Sequence, residues 1–355
     1  QAAFLVSESI AESKDKGLAL YIASIDVQKA FDVMRHESLL DRLHEMDMRG
    51  AWWRLKDSSY QNLTERIRWQ DKMSDPFPIL QGSKQGAYPS PDDYITHLCK
   101  LLFMSSDSPC GFKIGTTDVT CPTCADDMVL MTTSPLQLQA LILLATAFAN
   151  DEHCVIHPQK TVIVPFNITY KPQMEFLKEE EPWETNGVKI PVEDEMTHLG
   201  IRRHVDSPYA VVDDRASSGR KTFYSLMGSG LHGLNELPVK TGIKIYNSYV
   251  MPRALYGLEA VKITETAKTK LTTFHKYALR CIMGLPKWIA SPSLYIISGQ
   301  LPIEFQMDVR SLSFLRSLMS IDPTRDILLR QFVVKSSSSN SLAISFTGKL
   351  HQYHL

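Results

Sequence analysis

Three aspartates have the types and spacing that could do chemistry. Asp126 and Asp127 stand side by side within residues 119–131, where the flanking positions are apolar or β-branched. Two such runs around a short polar step read as a tight β-hairpin. Adjacent like charges repel, and no basic residue lies between Asp118 and Thr133 to relieve them. A hard divalent cation relieves them, because Mg²⁺ takes carboxylate oxygens and is commonly shared with a phosphate-bearing substrate. The same pair also makes an ordinary soluble turn, since Asp is a favoured turn residue. A second acidic position decides. Residues 18–25 form a short apolar run after Gly17, long enough for one largely buried strand. The run delivers Asp26 at its end, followed by Val27-Gln28-Lys29-Ala30-Phe31-Asp32. One carboxylate at a strand end and two at a hairpin tip can meet across a sheet. Together they would hold two metal ions about 3.5–4 Å apart, the arrangement that stabilises the attacking and leaving oxygens in phosphoryl transfer.

The elements that must position these groups can be read in order. Residues 1–16 predict a helix with Gly17 as its C-terminal cap. Leu39, Leu40, Leu43 and Met46 mark an amphipathic helix, and residues 66–69 read as an alternating strand. Trp52, Trp53 and Trp69 are expected in the core rather than as a base-stacking platform. Residues 78–87 enter a Gly-rich loop, whose glycines let backbone approach a ligand closely or simply make a turn. Ser90-Pro91 predicts an N-cap and a proline at the first helical position, with Tyr94, Ile95, Leu98, Leu101 and Leu102 as the buried stripe. Ser134-Pro135 repeats the device and opens a helix over 136–150, apolar on nearly every side and so expected to pack against the sheet. Asn186-Gly187 predicts a hairpin, and residues 196–201 one more short strand. Beyond Asp206 only helices are expected.

Composition sets bounds on function. At 355 residues the chain is long enough for two or three domains, and 44% hydrophobic content is that of a globular protein. The longest apolar run, 138–149, is too short to span a bilayer, so no membrane partner is expected. Six cysteines show no disulfide-framework spacing, which fits a reducing, intracellular compartment, and Cys121-Pro-Thr-Cys124 lacks the second ligand pair of a zinc site. Net charge is −1. The distribution is more informative: between Asp206 and Ala290 there are twelve Lys and Arg against six Asp and Glu, about +6. Such a patch is able to follow phosphates.

Five segments carry a family signal in order. They are Ser24-Ile25-Asp26-Val27 through Phe31-Asp32, Gln81-Gly82-Ser83-Lys84-Gln85-Gly86 through Ser90-Pro91, and Cys124-Ala125-Asp126-Asp127. His157-Pro158-Gln159-Lys160-Thr161 and His198-Leu199-Gly200-Ile201 follow. Taken together they resemble the reverse transcriptase of non-LTR (LINE-type) retrotransposons. The similarity covers roughly residues 1–335, since the segments around Tyr256-Gly257 and Gly284-Leu285-Pro286 also look like the family's thumb. The resemblance implies an α+β fold: a polymerase right hand with an antiparallel-sheet palm, partial fingers and an all-helical thumb. Palm and fingers would occupy 1–205, the thumb 206–335, and a disordered Ser-rich tail 336–355.

Carried over residue by residue, Asp26, Asp126 and Asp127, with the Val27 carbonyl, would hold two Mg²⁺, with Mn²⁺ as a substitute. Phe31 matches the aromatic beneath the sugar that excludes a 2′-hydroxyl, and Gln85 and Gly86 match the loop lining the incoming nucleotide. Lys160 matches a lysine that protonates the pyrophosphate leaving group, or else is a solvated turn lysine. His198, Leu199 and Gly200 would lie near the primer terminus. Arg220, Lys221 and Lys276 are the expected nucleic-acid contacts. The implied partners are an RNA template, a DNA primer and dNTPs, and the implied location is nuclear, at the site of integration.

The sequence departs from the family pattern at Cys124, where Tyr or Phe is usual, and at Pro89, Asp92 and Asp93, where apolar residues are usual. It begins with Gln1, so an N-terminally truncated fragment is expected, lacking the basic finger strands and the endonuclease of a full-length element. These departures keep a second reading open, a truncated remnant that binds nucleic acid without catalysis. A generic two-carboxylate phosphohydrolase would leave the Gly-rich loop and the basic segment without a role.

Overall fold

The computed structural model describes residues 1–84, 86–168, 171–180, 183–207, 210–231, 237–336 and 338–354. The chain divides into two compact units, one of residues 1–17, 114–117 and 194–355, the other of 18–113 and 118–193. The division therefore falls earlier than the 205 expected, and the N-terminal helix α1 (Ala2–Asp15) belongs with the C-terminal half.

The unit that carries the aspartates begins with β1 (Leu20–Ile25), α2 (His36–Glu45) and α3 (Gly50–Tyr60). Four two-residue strands follow, β2 (Thr64–Glu65), β3 (Arg68–Trp69), β4 (Lys72–Met73) and β5 (Phe77–Pro78), with β2 paired to β5 and β3 to β4. Next in the chain come α4 (Ser90–Asp107), β6 (Lys113–Ile114) and β7 (Thr117–Asp118), of which Ile114 and Thr117 are assigned to the other unit. Then follow β8 (Thr123–Cys124), β9 (Asp127–Thr132), α5 (Pro135–Asp151), β10 (Val162–Phe166), α6 (Lys171–Glu180), β11 (Glu184–Thr185) and β12 (Val188–Lys189). The main sheet has the order β10-β1-β9-β8, antiparallel throughout. β1 is covered on both faces, which is why its sequence is a nearly continuous apolar run rather than an alternation.

Helix α5 lays Leu138, Leu141, Ile142, Ala145 and Phe148 into one cluster with Tyr21, Ala23, Ile25, Met128 and Leu130. Full burial of a Leu contributes about 1.5–3 kcal/mol, so this face anchors the sheet. The helix is not buried all round, however. Leu136 and Leu143 are exposed on its far side. Ser90 also differs from expectation: it is already helical, and its hydroxyl donates to the Lys84 carbonyl instead of capping α4. Ile95 is exposed, while Tyr94, Leu98 and Leu101 are buried.

The tryptophans correct the core expectation. Trp53 is half-buried and donates its indole N–H to Leu40 O at 3.1 Å. Trp52 and Trp69 are 73% and 76% exposed. Helix α3 buries only Tyr60, and β2 to β5 are too short to present a covered face.

In the other unit, residues 196–201 are not one strand but most of a hairpin, β13 (Glu195–His198) and β14 (Ile201–His204). Helices α7 (Ala210–Gly228), α8 (Val239–Ile245), α9 (Met251–Leu255), α10 (Glu265–Met283), α11 (Ser291–Ser298), α12 (Ile303–Met319), α13 (Asp322–Val334) and α14 (Leu342–Tyr353) follow. Phe223, Tyr246, Leu255, Leu271, Phe274 and Leu279 form the centre of its core. α10 ends at Gly284, whose φ of 65° is the left-handed cap that glycine accepts without steric cost.

Helix α1 is held in this unit by buried polar contacts. Arg203 donates to Ala3 O at 2.9 Å and to Ser7 Oγ at 3.0 Å, and burial pushes its guanidinium down to about 10. The Ser-rich stretch expected as a disordered tail is ordered where it is described. Ser339 and Ser341 are buried. Ser341 accepts from the Ala343 N–H at 3.1 Å as the cap of α14. Composition pointed to disorder, but the hydroxyls find carboxylate partners on α1.

Candidate functional site

The aspartates are brought together by strand register. Ile25 of β1 lies opposite Met128 of β9, so the next residues along, Asp26 and Asp127, leave their strands side by side. Cys124 pairs with Asp127, which makes Ala125-Asp126 the two-residue loop of the hairpin. Ala125 takes φ 56°, a left-handed conformation that costs a non-glycine residue about 1–2 kcal/mol. The turn thus holds Asp126 at the tip by a strained neighbour.

The other edge of β1 is fixed as well. His157 N donates to Asp26 O at 2.8 Å, and Gln28 N to Val155 O at 2.8 Å. Asp26 N donates to the Thr161 hydroxyl at 3.2 Å. These bonds flank the antiparallel bridge between Val27 and Ile156. By the alternation of such a pair, the Val27 carbonyl faces the opposite edge, the one toward β9. Lys160 Nζ lies 3.8 Å from Asp26 Oδ2, with the two side chains 65% and 42% exposed. An ion pair this exposed contributes about 0–1 kcal/mol, so it is a loose contact.

Among the described residues, no three His, Cys, Asp or Glu side chains converge closely enough to ligate one ion. The register aligns backbone positions, and the Asp26 carboxylate sits beside Lys160. The donor set nonetheless suits a hard cation: carboxylates at two adjoining strand ends and a carbonyl on the same edge, all oxygen.

Phe31 lies against Tyr94, ring centroids 4.5 Å apart and planes at 33°. Burial, and after it the charge of Asp126, push the Tyr94 phenol up. The Gly-rich loop rests on the same segment. Ser83 N donates to Phe31 O and Gly82 N to Met34 O, both at 2.7 Å. A Cβ on Gly82 would stand 2.9 Å from Asp32 O, so this is the glycine that close approach requires. Gly86 has φ 81° and open space around it. Gln85 lies outside the described residues. Sequence reading singled out Gly86 and placed Tyr94 only in a buried stripe. Gly82 and Thr161 lie within the family segments, but no role was assigned to either from the sequence.

His198, Leu199 and Gly200 sit at the β13–β14 turn, where Leu199 and Gly200 have φ 52° and 67°. Tyr256 donates to Leu199 O at 3.1 Å, Arg215 donates to Gly200 O, and the Arg215 guanidinium stacks 5.1 Å from the Tyr256 ring centroid. Neither Arg215 nor Tyr256 was among the sequence candidates for this turn. Arg220 and Lys221, adjacent on α7, face different surfaces. Arg220 shares a shallow depression with Thr266, Thr269 and Thr273 of α10, whereas Lys221 shares one with Ser217, Ser218, Ser225 and Arg253. Lys276 is half-buried on α10.

A family model described as reverse transcriptase (RNA-dependent DNA polymerase) matches residues 1–202. The chain is 30% identical over 122 residues to a retrovirus-related Pol polyprotein from the type-2 retrotransposable element R2DM of Drosophila melanogaster, a stretch covering 34% of this chain and 11% of that protein. It is 29% identical over 161 residues to the corresponding polyprotein from the type-1 element R2 of Nasonia vitripennis, covering 44% and 15%. The chain therefore spans a small part of the length of these curated relatives. Among solved structures it is similar to apo telomerase from Candida tropicalis, at TM-score 0.44 and 12% identity over 98% of this chain and 56% of that one. It is also similar to telomerase from Candida albicans in complex with a telomeric RNA fragment, at TM-score 0.38 and 10% identity over 97% and 52%.

Proposed function

The chain belongs to the reverse transcriptase (RNA-dependent DNA polymerase) family, and from that premise we propose that it extends a DNA primer on an RNA template by nucleotidyl transfer. The observation that carries the reading is the register of Ile25 with Met128, which sets Asp26 beside Asp127 at adjoining strand ends. Divalent cations, two Mg²⁺ or Mn²⁺ in their place, would neutralise charge on the attacking and leaving oxygens. Asp26, Asp126, Asp127 and the Val27 carbonyl would hold them.

The remaining roles follow from the chain's own groups. Phe31 would lie beneath the sugar of a dNTP and exclude a 2′-hydroxyl. The loop with Gln85 and Gly86 would line the nucleotide. Lys160, next to Asp26, would pass a proton to the departing pyrophosphate, a contribution of about 10²–10⁴-fold where such a proton donor operates. The turn at His198, Leu199 and Gly200 would meet the primer end, and basic side chains of the helical segment would follow the phosphates.

Incorporation of dTTP on poly(rA)/oligo(dT) tests this directly. The expected result is Mg²⁺-dependent extension that Asp26→Asn abolishes. Template–primer binding with no extension under any metal would leave a binding-only remnant and defeat the polymerase reading.

A further inference from the structure

Phe31 is partly buried and packs against the core of its unit. The backing is Tyr94, a ring on α4 that is 2% exposed and 4.5 Å from the Phe31 centroid. Tyr94 is itself braced: its ring neighbours His97 at 6.4 Å, and His97 neighbours Phe148 of α5 at 5.7 Å. Tyr94 also lines a cavity of about 10 Å³ together with Val27 and Met128. Those two residues adjoin Asp26 and Asp127 in the chain. A partly buried Phe without a firm neighbour would swing about its side-chain torsions, whereas one resting on a packed interior ring is held in place.

We propose that Tyr94 is the positioning residue for sugar discrimination, a buried platform that fixes the height and tilt of Phe31 beneath the incoming nucleotide. The proposal rests on the polymerase reading and on the place given there to Phe31. Telling a ribose from a deoxyribose requires a wall at a defined distance from one hydroxyl. A wall that moves loses that discrimination without losing the dNTP. The hydroxyl of Tyr94 is not what does this; its ring is.

The test compares kcat/KM for UTP and dTTP on poly(rA)/oligo(dT). Tyr94→Leu is expected to raise the UTP/dTTP ratio by about tenfold or more, the scale of one misplaced wall contact. Tyr94→Phe keeps the ring and should stay near wild type. In a Phe31→Val background, Tyr94→Leu should add nothing further, because it acts through Phe31. If Tyr94→Leu fails to fold, Tyr94→Met carries the same expectation. A second readout needs no turnover: 4-fluorophenylalanine placed at position 31 should give one narrow ¹⁹F resonance in wild type and Tyr94→Phe, and a broadened or shifted one in Tyr94→Leu. An unchanged ratio in an active Tyr94→Leu variant, or an unchanged resonance, overturns the proposal. If the wild type incorporates no dTTP, the polymerase reading fails, and the resonance alone decides whether Tyr94 holds Phe31.

Discussion

Glu8 caps a helix that begins more than three hundred residues later: it accepts from the Ser341 hydroxyl at 2.8 Å and from the Leu342 N–H at 2.6 Å. The first N–H groups of a helix have no partner within it, and here a carboxylate of α1 supplies one. The ladder continues along α1. Lys335 reaches Glu12 at 2.6 Å and Asp15 at 2.8 Å. Burial pushes Glu8 up to about 7, against the pull of its Ser341 and Leu342 hydrogen bonds. At Glu12 burial acts the same way, but hydrogen bonds from Lys335, Lys16 and Gln331 outweigh it and bring it down to about 2.

These opposite shifts predict a window for the docking of α14. Glu8 binds its proton more tightly folded than unfolded, so its stabilisation is complete below about pH 4.5 and is lost as pH rises through about 7. The loss is about 3 kcal/mol. Glu12 works the other way, stabilising above about pH 4.5 and failing as pH falls toward 2. The protection factors of the α14 amides, with the intrinsic base-catalysed rise of exchange divided out, should therefore fall as pH rises from about 4.5 through about 7. Glu8→Gln should flatten that dependence. Protection factors that stay level with pH in the wild type would show that burial does not raise Glu8.

Asp126→Asn, Asp26→Asn and Asp127→Asn should each lower dTTP incorporation by at least about 10²–10³-fold, the scale of removing one pre-placed electrostatic partner. Template–primer affinity should be nearly unchanged, since the substitution removes a charge and keeps the shape. Lys160→Met should cost less, because its contact with Asp26 is long and exposed. Filter binding alongside single-turnover extension separates the two quantities. Near-wild-type extension by Asp126→Asn would place the reacting metals elsewhere.

Ala125→Gly should raise thermal stability. Relief of the left-handed Ala125 is worth about 1–2 kcal/mol, and the added freedom of the unfolded chain takes back about 0.4–1. The net gain centres on about 0.8 kcal/mol within a span of about 0–1.6, read as an upward shift in Tm. A loss of stability would mean that Ala125 has packing contacts that a methyl deletion removes.

Much of the palm was legible because its signals are local. The apolar run of β1, the flanks of Asp126-Asp127 and the Asn186-Gly187 turn each declare their element within a few residues, and the pairing of β1 with β9 buries both runs at once. What was not legible depends on distant partners. Nothing near Glu8 announces Ser341, and a run of serines is read as unstructured until carboxylates are supplied. Trp52 and Trp69 read as core because large aromatics usually are, yet the short strands around Trp69 have no second layer to cover it. Leu199 hid the β13–β14 turn, since Leu is an uncommon choice for a positive φ.

The basic helical segment makes the last prediction. Several of its cations are already engaged: Lys270 with Asp213 at 2.7 Å, Lys268 with Glu265 at 2.6 Å, and Arg215 with the Gly200 carbonyl. Arg220 lies 6.0 Å from the Phe274 ring centroid and shares its depression with Glu265. Lys221 instead lies among Ser217, Ser218, Thr222 and Ser225, with Arg253 as a second cation and Asp214 as the carboxylate. Both depressions hold hydroxyls, two cations and one carboxylate. But Lys270 beside Arg220 is paired with Asp213, whereas Arg253 beside Lys221 donates to the neutral Thr222 hydroxyl at 2.9 Å. The Lys221 side therefore offers a phosphodiester more uncompensated positive charge. Because the two residues face different surfaces, one nucleic-acid tract should engage one of them and not both. Lys221→Gln should weaken template–primer binding and reduce the log–log salt slope by about one unit. Arg220→Gln and Lys276→Gln should change the slope much less. If Arg220→Gln lowers the slope and Lys221→Gln does not, the phosphates run along the α10 side of α7.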